Sequence, residues 1–319
     1  PVSAEDGSRL WLRQSTDAHA QITAPRQSPT LNIAVRELKQ AWKGLPVTLV
    51  LKKDKQLSSE GFRIRQVNGK LTVTSPSETG LLYAAYHLIR LQEMQNFGKP
   101  SETDQEITEN PAYDLRILNH WDNERGYAGK SLWNWEELPG TLSDRYEAYA
   151  RANASIGINA TVLNNVNASS KILSAEYLEK VKALADIFRP YGIKVYLSIN
   201  FASPMQLGGL STADPLDKDV IAWWKQKAKE IYRTIPDFGG FLVKANSEGQ
   251  PGPCDFNRTH AEGANMLADA LKPYKGIVMW RAFVYSPTDA DRAKQAYLEF
   301  QPLDGQFRDN VIVQIKNGP

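Results

Sequence analysis

From residue 113 onward, short apolar runs alternate with amphipathic stretches, and this alternation restricts the fold more than any other feature of the chain. Leu115–Leu118, Ala160–Leu163, Ile193–Ile199, Phe241–Val243, Ile277–Phe283 and Val311–Ile315 read as strands, too short for helices and rich in β-branched and aromatic residues. Between them, Ser143 caps a helix over Asp144–Ala154 and Ser174 caps Ala175–Phe188, with further helices over Asp219–Tyr232 and Arg258–Leu271. Strand and helix alternating at roughly 35 to 45 residues imply right-handed βαβ units and a parallel sheet. Six such strands do not close an eight-stranded barrel, so the sheet is either open or part of a longer protein.

Residues 1–98 read as a small N-terminal α/β domain. Leu45–Leu51 is a strand, and Gly61–Arg65 and Lys70–Thr74 form a hairpin across Val67-Asn68-Gly69. Asn32–Ala41 and Leu81–Arg90 are helices, the second opened by Ser77-Glu78-Thr79-Gly80. His87 lies in an apolar helix and reads as a core or interface histidine. Residues 99–112 are polar, carry two prolines and are expected to be the linker to a catalytic domain over 113–319.

Charge narrows the choice of partner. A net charge of +2 with acids and bases interleaved provides no basic block for nucleic acid, and no apolar run approaches the roughly 20 residues of a membrane span. Cys254 is the single cysteine and the four histidines are scattered, so neither a disulfide nor a metal site is expected, and no cofactor is implied. Val2-Ser3-Ala4 resembles the small-residue end of a secretory signal. That gives a periplasmic or secreted expectation, with an arbitrary start and a cytoplasmic location as the alternative.

Parallel sheets gather their ligands at the carboxyl ends of the strands. Here those ends carry Asn119 and Trp121, then Asn164 and Val166, then Asn200. The fourth strand empties into Lys244-Ala245-Asn246-Ser247-Glu248 ahead of a Gly/Pro-rich loop, the fifth ends near Arg281, and the sixth near Lys316. Asn offers donors and acceptors to hydroxyls, and a Trp face packs on the C–H side of a sugar ring. Three cations, Lys244, Arg281 and Lys316, on neighbouring strand ends call for an anion among them, either a ligand's carboxylate or protein acids such as Asp122 and Glu248. Glu248 is the candidate general acid of a glycosidic cleavage, whose inverting form also needs a second carboxylate about 6.5–9.5 Å away. No residue of this chain stands out as that partner.

Several longer motifs point to one family. Asn119-His120-Trp121-Asp122-Asn123, Glu124 through Gly129, Ala150 through Asn159, Val162 through Asn167, Phe201-Ala202-Ser203-Pro204, Lys244 through Pro253 and Val311 through Pro319 resemble those of microbial α-glucuronidases of glycoside hydrolase family 67. The resemblance implies a small N-terminal α/β domain followed by a (β/α)8 TIM barrel, represented here by about six strands. The implied reaction is inverting removal of (4-O-methyl-)glucuronic acid from xylooligosaccharides. It implies Glu248 as general acid, with Lys244, Arg281, Lys316, Trp121 and Val166 around the uronic acid; Asn119, Asn164, Asn200 and Asn246 are added from strand-end position alone. The family's spacer between the His-Trp-Asp-Asn and Glu-Arg-Gly-Tyr motifs is missing at the Asn123-Glu124 junction. The family's water-activating Asp follows the Lys-Asn-Gly-Pro motif, so the expectation is an N-terminal portion of a longer enzyme, weak or inactive alone, with a homodimer expected only at full length. Two alternatives stand beside this one: a hexosaminidase-like barrel, which would place Asp beside Glu where Ser247-Glu248 stands, and a non-catalytic carbohydrate-binding protein.

Overall fold

The computed structural model describes residues 12, 20–94, 104–122, 132–283 and 292–315. The chain divides into two compact units.

The first unit comprises residues 1–117 together with 143–159 and 186–193. Its elements are β1 (Ile22–Thr23), α1 (Pro29–Ala41), β2 (Val47–Leu51), β3 (Phe62–Val67), β4 (Lys70–Ser75), α2 (Glu78–Glu93) and β5 (Gln105–Glu109). They form a mixed sheet in the order β1-β2-β4-β3-β5. The expected hairpin is β3–β4, antiparallel, and Asn68 and Gly69 take φ of 48° and 70°, the left-handed pair that a tight hairpin turn demands. Ser28 and Ser77 cap α1 and α2 by accepting from Leu31 N and Gly80 N, and the helices bury Leu31, Leu38, Leu81 and Tyr86.

Part of the expected linker is instead a strand. β5 pairs antiparallel with β3, and Glu106 binds Arg63 and Arg65 across the pair at 3.2 and 2.9 Å. Its pairing rests on cross-strand charge, a signal that apolar alternation misses. Helix α3 (Asp144–Ser155), expected as the first barrel helix, belongs to this first unit, where Arg151 grips the buried Glu37 with bonds of 2.6 and 2.8 Å.

The second unit carries β6 (Ile117–Asn119), β7 (Ala160–Val162), α4 (Ala175–Phe188), β8 (Lys194–Ile199), α5 (Ser203–Gln206), α6 (Lys218–Thr234), β9 (Gly240–Val243), α7 (His260–Leu271), β10 (Ile277–Arg281), α8 (Arg292–Phe300) and β11 (Val311–Gln314). All six strands lie in one sheet in strict chain order, with parallel pairing from β7 to β11, curled as a half-barrel. Phe241, Leu242 and Val243 are each fully buried, as expected of a parallel strand covered on both faces. Parallel pairing puts the carboxyl ends of β7 to β11 on the same edge of the sheet. No helix among the described residues is long and apolar enough to cross a membrane.

Gly240 fixes the register of β9 against β10. Its φ is +140°, and a Cβ there would lie 1.9 Å from the Ile277 carbonyl oxygen, a backbone atom that cannot step aside. Gly240→Ala is therefore expected to destabilise the protein by on the order of 3 kcal/mol, read by chemical denaturation. A variant as stable as the parent would show that the two strands can separate at this point without cost.

Candidate active site

Strands β9 and β10 pair Val243 with Trp280, so the next residues along each strand are Lys244 and Arg281. Lys244 is buried, and its Nζ contacts the carboxylate of Glu248, whose side chain is about half exposed at 48%. A buried ammonium without a counter-charge is strongly disfavoured, so this contact ties the loop that follows β9 back to the strand end.

The loop is a sequence of tight turns. Gln250 N donates to Ser247 O at 2.9 Å, enclosing Glu248 and Gly249 with φ of 49° and 77°. Two successive left-handed residues define a mirror-image turn, which Gly accepts freely and an L-residue such as Glu accepts only at a cost. Asn246 also has positive φ, 49°, and its side chain closes the base of the loop. Its Nδ2 donates to Asp255 Oδ1 at 2.9 Å, and its Oδ1 accepts from Cys254 N at 3.0 Å. Asp255 Oδ2 accepts in turn from Gly252 N at 3.0 Å. Beyond the loop, Thr259 caps α7 with Glu262, and Arg258 forks onto Asp214 at 2.9 and 2.8 Å.

Arg281 is partly exposed, and its side chain makes no hydrogen bond or ion pair among the described residues. Desolvation lowers its pKa from the ordinary arginine value, and the opposing influence is the charge of Glu248. The guanidinium lies 5.4 Å from the centre of the Phe283 ring. Lys244 and Arg281 thus both act on Glu248. Lys316 lies outside the described residues, as does the Asn123-Glu124 junction.

The other expected site residues are placed differently. Asn164 is buried between strands, accepting from Ser198 N at 2.8 Å and donating to Ser198 O at 2.9 Å, so its amide extends the β7–β8 ladder as a peptide would. Asn200 donates to Ala168 O at 3.2 Å and accepts from Ala202 N at 2.9 Å. Asn164, Asn200 and Asn246 therefore shape loops and strand ends. Asn119 is exposed at the end of β6, and Trp121 is exposed beyond it at 54%. Val166 is buried, next to Asn165, whose Nδ2 donates to Trp121 O at 3.2 Å. Trp121 and Val166 are linked through Asn165, whereas Lys244, Glu248 and Arg281 are linked through charge.

Sequence reasoning missed the loop-closing pair Asp255 and Gly252. The available signal was an acid three residues after a glycine in a Gly-Pro-Cys-Asp run, the spacing that lets a carboxylate reach back to a turn N–H. It also missed the surroundings of Cys254. Buried His260 accepts from Trp280 Nε1 at 3.2 Å through Nδ1, so the proton of the neutral ring sits on Nε2, which faces Glu299 at 3.5 Å and the Cys254 sulfur at 3.8 Å. With that nitrogen already protonated, His260 cannot serve Cys254 as a base. Among the described residues, no group of three or more His, Cys, Asp or Glu side chains is arranged to hold a metal.

Comparison with known proteins shows which family the chain matches. Residues 96–319 match the model of the glycosyl hydrolase family 67 middle domain. The chain is 48% identical over 276 residues to a probable α-glucuronidase A of Aspergillus clavatus, covering 83% of this chain and 32% of that protein. It is 39% identical over 366 aligned residues to a probable α-glucuronidase A of Aspergillus niger, covering 100% of this chain and 43% of the relative. The chain thus spans about a third to two-fifths of the length of these relatives. Among solved structures, it resembles a GH138 enzyme targeting pectin rhamnogalacturonan II at a TM-score of 0.58 and 17% identity, covering 93% of this chain and 38% of that one. It also resembles a GH20 exo-β-N-acetylglucosaminidase from Vibrio harveyi at a TM-score of 0.55 and 11% identity, covering 95% of this chain and 55% of that one. At such identities these structures share the fold and nothing more.

One consequence concerns the thiol beside the loop. Cys254 is exposed, yet desolvation of its sulfur by the surrounding loop, reinforced by the Glu299 and Asp255 carboxylates, pushes the thiol up from its ordinary value. Cys254 is expected to alkylate several-fold more slowly than free cysteine at pH 8, and to accelerate at a higher pH than a free thiol does. Glu299→Gln should speed the reaction; labelling at the free-cysteine rate in the unaltered protein would contradict the arrangement.

Proposed function

The chain belongs to glycosyl hydrolase family 67, and from that premise we propose that it supplies the acid-catalyst side of an inverting α-glucuronidase site, on a sheet that forms part of a (β/α)8 barrel. The observation that carries this reading is Arg281: a partly buried guanidinium, without a hydrogen bond or ion pair among the described residues, within electrostatic reach of a carboxylate already held by a buried lysine. A desolvated guanidinium at a strand's carboxyl end suits a planar anion that it can grip with two parallel bonds, which the carboxylate of a glucuronic acid provides.

In the proposed reaction, Arg281 and Lys244 bind the uronate, and the family resemblance adds Lys316 to them. Trp121 and Val166 bound the sugar on its apolar side. Glu248 delivers a proton to the oxygen linking the uronic acid to the xylooligosaccharide as the anomeric C–O bond breaks. Water attacks the opposite face, with its proton taken by a second carboxylate, the acid that the family carries after the Lys-Asn-Gly-Pro motif that here spans Lys316–Pro319. A hexosaminidase-like reading shares the fold of the GH20 neighbour, but it calls for paired acids where Ser247 precedes Glu248.

Two variants of the full-length protein test the assignment. Glu248→Gln is expected to lower kcat on aldobiouronic acid by roughly 100-fold or more, the usual contribution of a positioned acid. Unchanged turnover would remove Glu248 from the role. Arg281→Ala is expected to weaken glucuronic acid binding by roughly 10- to 100-fold while changing glucose binding little, because only the former loses a charged hydrogen bond. Calorimetric titrations showing equal losses for both sugars would make Arg281 a structural residue.

A further inference from the structure

Glu248 occupies a corner that its own residue type does not favour. The left-handed φ of 49° at Glu248 is disfavoured for an L-residue, and such a conformation persists only when its surroundings enforce it. Lys244 attracts the tip of the side chain but does not set the backbone. The base of the loop does. Asn246 at the entry is bound to Asp255 and to the Cys254 N–H at the exit, at 2.9 and 3.0 Å, and Asp255 also holds the Gly252 N–H at 3.0 Å. Gly252 completes the fit, since a Cβ at that position would lie 2.0 Å from Asn246 Oδ1.

We propose that Asn246 and Asp255 are positioning residues for proton delivery: they clamp the two ends of the 246–255 loop so that the turn at Ser247–Gln250 can present Glu248 beside Lys244. This rests on Glu248 being the general acid. The clamp is separate from the anchors that hold the rest of the segment, because Arg258 is fixed to Asp214 and α7 has its own Thr259–Glu262 cap. Loosening it should therefore displace the acid and leave the helix and sheet in place. It also gives Asn246 a different part from that of a sugar ligand, since both ends of its amide are engaged within the loop.

A leaving group that needs no proton separates misplacement of the acid from general damage. In the full-length protein, aldobiouronic acid requires protonation of its departing sugar oxygen. In α-D-glucuronosyl fluoride the C–F bond breaks and fluoride departs as the anion, while water still attacks the anomeric carbon. Asn246→Ala and Asp255→Ala are each expected to lower kcat on aldobiouronic acid at least tenfold, with KM within about threefold of the parent, and to keep kcat on the fluoride within about threefold. Asp255→Asn keeps the shape but sets an NH2 against one of the two N–H donors that Asp255 holds, so it should show a severalfold loss on aldobiouronic acid with the fluoride unaffected, and it decides the matter if the alanine variants do not fold. Equal losses on both substrates, or no loss on either, would overturn the clamp. Glu248→Gln run in parallel must show the same split. If it does and the clamp variants do not, the positioning role alone fails; if it does not, the acid assignment falls and the clamp falls with it.

Discussion

Burying an ammonium leaves a protein little freedom. Lys244 lies at the end of a strand whose preceding residues are fully enclosed, and its charge needs a partner that cannot come from solvent. Glu248 is that partner, and it reaches Lys244 only because the chain turns back on itself within four residues. The left-handed corner, the glycine beside it and the amide bridge at the loop's base together let the carboxylate meet this requirement. The same geometry brings Arg281, at the adjacent position on β10, within electrostatic reach of the carboxylate. Hydrogen bonds at its base thus set the loop's path, and the ion pair sets where its acid points.

The sheet was largely legible from the sequence because its signal is local. The six strands of the second unit lie within a few residues of their expected positions, and α4 spans Ala175–Phe188 as its capping serine indicated. β5 was not legible, since it is an edge strand fastened by Glu106 to two arginines and carries little apolar alternation. Helix α3 was found at its expected place in the chain, but its membership of the first unit depends on long-range contacts such as Arg151 with Glu37, which no local pattern encodes.

For the site, residue types could be read but their engagements could not. A row of asparagines at strand ends suits a polyol, yet the same amide also copies a peptide group. Asn164 and Asn200 use that equivalence to finish the sheet and its loops. Whether such a side chain faces a ligand or its own backbone depends on distances of a few ångströms across different strands. The crowding of like charge was more informative, because repulsion has to be answered somewhere, and a carboxylate meets it here.

The mutual fit of Asn246, Gly252 and Asp255 bears on attempts to exchange loops between related hydrolases. A replacement carrying only the acid and its immediate neighbours would lack the groups that hold the turn shut, and any side chain at position 252 would push against the amide at 246. The segment from 246 to 255 therefore behaves as an indivisible graft. Recombination within it should yield folded but poorly performing hybrids, whereas crossover points on either side should be tolerated.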